Sequence, residues 1–244
     1  MFLSPFFTQD ADRVRISAAQ GSAFAKDVAG DFNPIHDAGN PRFCVPGDLL
    51  FAIALSRFGV ARKMAFRFTG MVGADAPLTF AEIEGGVLVA DASGKSCMEI
   101  GSSGEVTRDG AFTESLVRRY VAFSGHNFPH ILVPLMEARG VMINTDRPLV
   151  IYERMSFELD RLDATDLDLS LVGSGLEVNG RRGEARLEFQ VSSADEPIGR
   201  GAKTLILSGL RDLDRDLLQG LVDRYAGWKA AYLSRPDMKV SSHP

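Results

Sequence analysis

The chain has 244 residues, enough for one large domain or two small ones with a sizeable core, and its 45% hydrophobic and 24% charged residues are those of an ordinary water-soluble protein. A net charge of −5, with no Lys/Arg block and no interleaved aromatic stripe, argues against a nucleic-acid partner. No apolar run approaches the ~20 residues of a membrane span. The two cysteines, Cys44 and Cys97, form neither a disulfide framework nor a ligand pattern, which fits a reduced, cytoplasmic setting.

In chain order, Met1 to Phe7 is apolar but has no basic start and no cleavage site, and Pro5 breaks it, so it does not read as a secretory signal. Ser17-Ala18-Ala19-Gln20 has the form of a capping box, and Ala23, Phe24 and Ala25 follow at helical spacing. The pattern predicts a helix from about Ala18 to Ala29 that ends at Gly30. A Pro-punctuated turn follows, because Pro34 disfavours helix at Asn33. Asp31 and His36 flank that turn and can converge on one water. Pro46 suits a first helical position, and Leu49 to Leu55 leave almost no polar face before Gly59. A helix that is apolar all round must be wrapped by other structure.

Strand-like segments come next: Met64 to Thr69, Leu78 to Gly85, Val87 to Asp91, Ser96 to Thr107 and Phe112 to Phe123, with a hairpin or bulge at Gly85-Gly86. The order then repeats. Leu132-Val133-Pro134-Leu135-Met136 is a second copy of the core-helix start after Cys44-Val45-Pro46, and Met155-Ser156-Phe157 echoes Met64-Ala65-Phe66. Leu167 to Val178, Arg182 to Ser192 and Gly199 to Leu210 complete a second sheet. From Asp212, the residues Leu213, Leu217, Leu218, Leu221, Val222, Tyr225, Trp228 and Tyr232 give a helix with one apolar stripe, and the tail from Arg235 reads as disordered.

The run Gly30-Asp31-Phe32-Asn33-Pro34-Ile35-His36 resembles the G-D-x-N-P-aliphatic-H signature of the MaoC-like, (R)-specific enoyl-CoA hydratases, which are hot-dog proteins. The chain as a whole also resembles a bacterial family of unknown function. The resemblance implies an α+β, double hot-dog fold: a first half over 1–125 carrying the motif, a degenerate second half over 126–210, and a C-terminal helix and tail over 211–244. It also implies hydration or dehydration of an acyl thioester carried by coenzyme A or acyl carrier protein, with Asp31 and His36 holding the water. Asn33 would fix the turn beside the substrate. Gly47 and Asp48, at the start of the core helix, either meet the thioester carbonyl through the N–H groups and dipole of that helix end or merely begin the helix, Asp48 favouring its dipole. Neither a metal nor an organic cofactor is expected, and a monomer or a homodimer suffices, since the chain supplies both halves of a groove.

Two departures from the family stand out: the segment from His36 to Val45 is short, and the signature sits in the first half. A non-catalytic hot dog that binds an acyl thioester or another apolar ligand, and a hot-dog thioesterase, are the alternatives. His126 and His130 would share a helix face, but Pro129 between them favours a structural turn over a metal site. Arg57, Arg62, Lys63, Arg118 and Arg119 read as solvated charge, or else as contacts for coenzyme A phosphates.

Overall fold

The computed structural model describes residues 2–145 and 149–235. The expected disordered tail and His243 fall almost wholly outside them. A short hairpin of β1 (Thr8–Asp10) and β2 (Arg13–Arg15) leads into α1 (Ala18–Ala23). The capping box is present: the Gln20 backbone N–H donates to Ser17 Oγ, and the Ser17 N–H donates to Gln20 Oε1. Two N–H groups that a helix start leaves unpaired are thereby satisfied. The helix widens into a π-helical turn over Phe24–Ala29 and stops at Gly30, whose φ of 67° favours a residue without a side chain.

The central helix α2 (Gly47–Phe58) buries seven consecutive residues, Leu49 to Leu55. Pro46 is its cap and not its first residue, one position away from the expectation. Around α2 run β3 (Val60–Phe68), β4 (Leu78–Ile83), β5 (Gly86–Asp91) and β6 (Ser96–Thr107). The β4–β5 hairpin turns at Gly85, with φ 76°.

The segment expected as a strand from Phe112 to Phe123 is instead α3 (Gly110–Gly125). Asp109 starts it by accepting the Phe112 N–H at 2.7 Å. Phe112, Leu116, Val117, Tyr120 and Val121 then face inward at helical spacing, so period outweighs the strand preference of Val, Tyr and Phe. A second π-helical turn, Phe128–Leu132, leads into α4 (Val133–Ala138). This short helix occupies the place expected for a second core helix, and Met136 is wholly buried. The expected plain turn at His126 to His130 is corrected, because Pro129 sits in the first turn of a helix, where its missing N–H costs nothing.

The second half continues with β7 (Val141–Met142), β8 (Val150–Leu159), β9 (Leu167–Asn179), β10 (Arg182–Ser193), β11 (Glu196–Ser208) and β12 (Arg211–Asp212), and α5 (Arg215–Leu233) closes the described chain. Apart from the small β12–β7 pair, all the strands among the described residues join one antiparallel sheet in the order β1-β2-β4-β5-β6-β3-β8-β11-β10-β9. The order β4-β5-β6-β3 is mirrored by β9-β10-β11-β8, so each half contributes the same four-stranded arrangement. At the seam Ala65 faces Ser156, with Met64 opposite Phe157 and Phe66 opposite Met155. The repeated Met-x-Phe therefore lies on the pseudo-twofold between the halves. A helix wrapped by a curled antiparallel sheet, twice in one chain, is the double hot-dog architecture.

One core spans the seam: Phe51 of α2 packs its ring 5.0 Å from Phe66 and 4.8 Å from Tyr120, and Phe66 lies 6.0 Å from Phe157. Leu50, Ile53 and Ala54 are buried there as expected. A smaller core gathers Met136, Met142, Leu187, Leu207 and Leu218 beneath α4 and α5. On α5, Leu218, Leu221 and Tyr225 are buried while Leu217 and Trp228 are exposed, so the apolar stripe docks only along part of its width.

Candidate active site

The signature turn is fixed by its own side chains. Gly30 ends one helix, and the Asn33 side chain caps a 3-10 turn over Pro34–His36 by accepting the Ile35 N–H at 3.2 Å. Asp31 Oδ1 accepts the Asn33 N–H at 2.8 Å, and the Asp31 N–H donates to the Ala25 carbonyl at 2.8 Å. His36 Nδ1 lies 2.7 Å from the Cys44 carbonyl, which can only accept, so Nδ1 carries the proton and Nε2 keeps a lone pair when the ring is neutral. That Nε2 stands 3.7 Å from Asp31 Oδ2. The separation is too long for a direct hydrogen bond and suited to a shared third atom. Both side chains are partly accessible, Asp31 at 26% and His36 at 14%.

Asn33 thus belongs to the turn, with its side-chain oxygen committed to it. Gly47 opens α2 beneath two rings: a Cβ there would lie 3.0 Å from Phe68 Cε1 and 3.4 Å from Tyr152 Cδ1. Asp48 points inward. Its Oδ2 accepts from Ser124 Oγ at 2.5 Å, while Oδ1 is sealed from solvent without a hydrogen-bond partner. Desolvation pushes the Asp48 carboxyl above the ordinary carboxylate range, against the pull of the Lys203 ammonium and the Ser124 hydroxyl. Asp31 and His36 also act on it electrostatically, which brings Asp31, His36 and Asp48 into one charged neighbourhood.

Three further residues belong to this neighbourhood. Tyr225 of α5, 6% exposed, accepts the Phe32 N–H at 3.0 Å and donates toward Asp31 Oδ1 at 3.5 Å. Lys203 of β11, 3% exposed, donates to Ser124 Oγ. Ser124 thereby links it to Asp48. In sequence, the clue to Lys203 is a lysine at an inward position of a strand whose following residues, Leu205 to Leu207, are apolar. Tyr225 gives no local clue, because its partners lie almost the full chain length away.

The remaining candidates lie elsewhere. His126 is exposed and lies over Gly30, where a Cβ would be 3.1 Å from its Nε2. Partial desolvation of the ring, then neighbouring Lys229 and His130, hold its imidazole below the ordinary value. Its ring centre is 6.3 Å from that of His130, and among the described residues no group of three or more His, Cys, Asp or Glu is placed to hold a metal ion. Arg62, Lys63, Arg118 and Arg119 pair with Glu105, Glu158, Glu114 and Asp166, and Arg57 stacks on Phe80, so the five cations do not converge. A cleft of about 520 Å³ between α1 and α5 has Phe32, Lys26 and Tyr232 in its walls. No helix among the described residues is long and apolar enough to cross a membrane.

Similar solved structures include the following three. A conserved protein of unknown function with a hot-dog fold from Alicyclobacillus acidocaldarius shares 8% identity, with 85% of this chain and 98% of that chain covered, at a TM-score of 0.46. An acyl-CoA thioesterase II from Mycobacterium marinum shares 10% identity, with 88% and 99% covered, at a TM-score of 0.40. A MaoC-like dehydratase shares 11% identity, with 84% and 98% covered, at a TM-score of 0.40. No curated protein sequence matches the chain. A family model does match, over residues 1–216, and the chain belongs to that family, described as a protein of unknown function (DUF3581).

Proposed function

We propose that the chain adds water to a trans-2-enoyl thioester to give the (R)-3-hydroxyacyl thioester, or runs the reverse dehydration. The observation that carries this reading is the disposition of Asp31 and His36. Oδ1 of Asp31 and Nδ1 of His36 are engaged by the protein, and Oδ2 and Nε2 are left facing each other at 3.7 Å. A water between them can donate one hydrogen to each acceptor. Its oxygen bonds to C3 of the enoyl group as one acceptor takes a proton, and the π electrons move toward the thioester carbonyl. The enolate-like intermediate collapses as a proton from the same pair reaches C2. Atoms balance with no redox partner.

The carbonyl oxygen gains charge in this step and needs donors. The start of α2, with Gly47 first, supplies backbone N–H groups and the positive end of the helix dipole, and the Asp48 side chain ties that end to Ser124. The substrate is an acyl-CoA or an acyl-carrier-protein thioester, handled in the cytoplasm by a monomer or homodimer. The test is one assay with crotonyl-CoA that follows both loss of the conjugated double bond and release of free thiol. Loss of the double bond with no thiol is expected. Thiol release would make the chain a thioesterase, and binding with neither change would make it a binding module.

A further inference from the structure

We propose that Lys203, supplied by β11 of the second half, is a positioning residue for the Asp31–His36 pair, acting through Ser124 on Asp48 at the start of the central helix. The inference rests on the hydratase reading for its kinetic consequence but not for its spectroscopic one. It gives the second half, which has no acid–base motif of its own, a part in the site.

Burying an ammonium costs several kcal/mol even after the surroundings relax. A methionine of similar length would fill the same space without that cost. Lys203 nevertheless stands 3% exposed in the middle of a strand, opposite Met155 of β8 and Leu187 of β10. Its compensation comes from three elements. Ser124 of α3 accepts from Nζ, the Tyr152 ring of β8 lies 4.0 Å below it, and Asp48 of α2 sits one hydroxyl away. Tyr152 in turn shares a short hydroxyl contact with Tyr120 of α3. The chain of contacts Lys203 to Ser124 to Asp48 therefore ties both halves together at one point.

That point adjoins the signature turn. Gly125, next to Ser124, packs so closely that a Cβ would meet the Ala29 carbonyl oxygen at 1.9 Å and the Asp31 nitrogen at 3.1 Å. Fixing Ser124 thus fixes the wall against which Asp31 rests. Electrostatics follows the same path, since Lys203 interacts with both Asp48 and Asp31, and Asp48 with Asp31 and His36. A cation in this place shields Asp31 from a second carboxylate.

The test uses K203M, S124A and K203M/D48N in the full-length protein. K203M leaves an uncompensated carboxylate and should lose stability, and K203M/D48N should regain most of it, because no unpaired charge remains. S124A breaks the link while keeping both charges, and serves if K203M does not fold. In S124A and in the folded double variant, the ring C–H resonances of His36 at pH 7 should move while those of exposed His130 stay in place. With crotonyl-CoA, kcat should fall at least ~10-fold with KM within ~3-fold, and K203M/D48N should be no slower than K203M, as for residues acting as one unit. A double variant with wild-type kcat and an unmoved His36 signal would overturn the proposal and leave the network as core filling. Wild-type protein without hydration activity sinks the hydratase reading alone, and the His36 signal then decides this one: moved, it stands; unmoved, it falls.

Discussion

The Tyr225 hydroxyl reaches from α5 to the Asp31–His36 turn, accepting the Phe32 N–H at 3.0 Å and pointing its own hydrogen toward Asp31 Oδ1 at 3.5 Å. Burial and the Asp31 charge raise the phenol well above its ordinary range, so it remains a donor at any working pH. Y225F keeps the ring against Phe32 and Phe128 but strands a buried N–H. We expect a loss of about 1–3 kcal/mol in urea unfolding. A kcat lowered less than by loss of Asp31 itself should accompany it, and unchanged stability would show that the N–H finds water instead.

Asp31→Asn keeps the turn, because an amide oxygen still accepts from the Asn33 N–H, but in the proposed hydration it removes the base. Hydration kcat should fall by roughly 10²–10⁴ with little change in affinity for a saturated acyl-CoA. His36→Ala should lose activity comparably, and the double variant should be hardly worse than either single. Melting temperatures lowered in step with activity would instead assign both residues to the turn.

Two glycines make opposite predictions about the same substitution. Gly125→Ala drives a Cβ to 1.9 Å from the Ala29 carbonyl oxygen and should cost about 1–3 kcal/mol while disturbing the Asp31 turn. Gly227→Ala, on α5 with open space around it, should stabilise by about 0.5–1 kcal/mol through helix propensity. Thermal unfolding of the two variants decides both. A stabilised G125A would mean that α3 does not press on the turn as described.

Tyr232 gives a pH prediction. Burial, then its 2.7 Å hydrogen bond to Asp27, pushes its phenol from 10.0 up to about 12. A raised value means the folded chain holds that proton more tightly than the unfolded one. Its contribution to stability is therefore complete below pH 10 and is lost as pH rises through about 12. Denaturation between these limits should show a steeper fall for wild type than for Y232F; equal slopes would remove Tyr232 from the account.

Much of the architecture was open to a reader of the sequence wherever local chemistry decides structure. Ser17 with Gln20, Gly30, the apolar run from Leu49 to Leu55 and the strand Ser96–Thr107 all lie where spacing and capping place them. The α3 segment was misread because Phe112, Val117, Tyr120 and Val121 favour strands by type while their spacing is helical. Of the site, the turn holding Asp31 and His36 was legible because its bonds are local. Tyr225 and Lys203 were not, since each acts across the fold on partners that neither period nor motif can pair with it.

The seam where Ala65 faces Ser156 has a consequence for how this chain is made. β3 leaves the ribosome long before β8 exists to cover its edge, and Phe66 must wait for Phe157. Until then the nascent first half presents an unpaired strand beside an unfinished apolar core, the kind of surface that other strands join indiscriminately. The two halves therefore mature together, and the vulnerable interval in the life of the molecule is the synthesis of α3 and α4, made after the first four-stranded arrangement is complete and before β8 emerges to cover it.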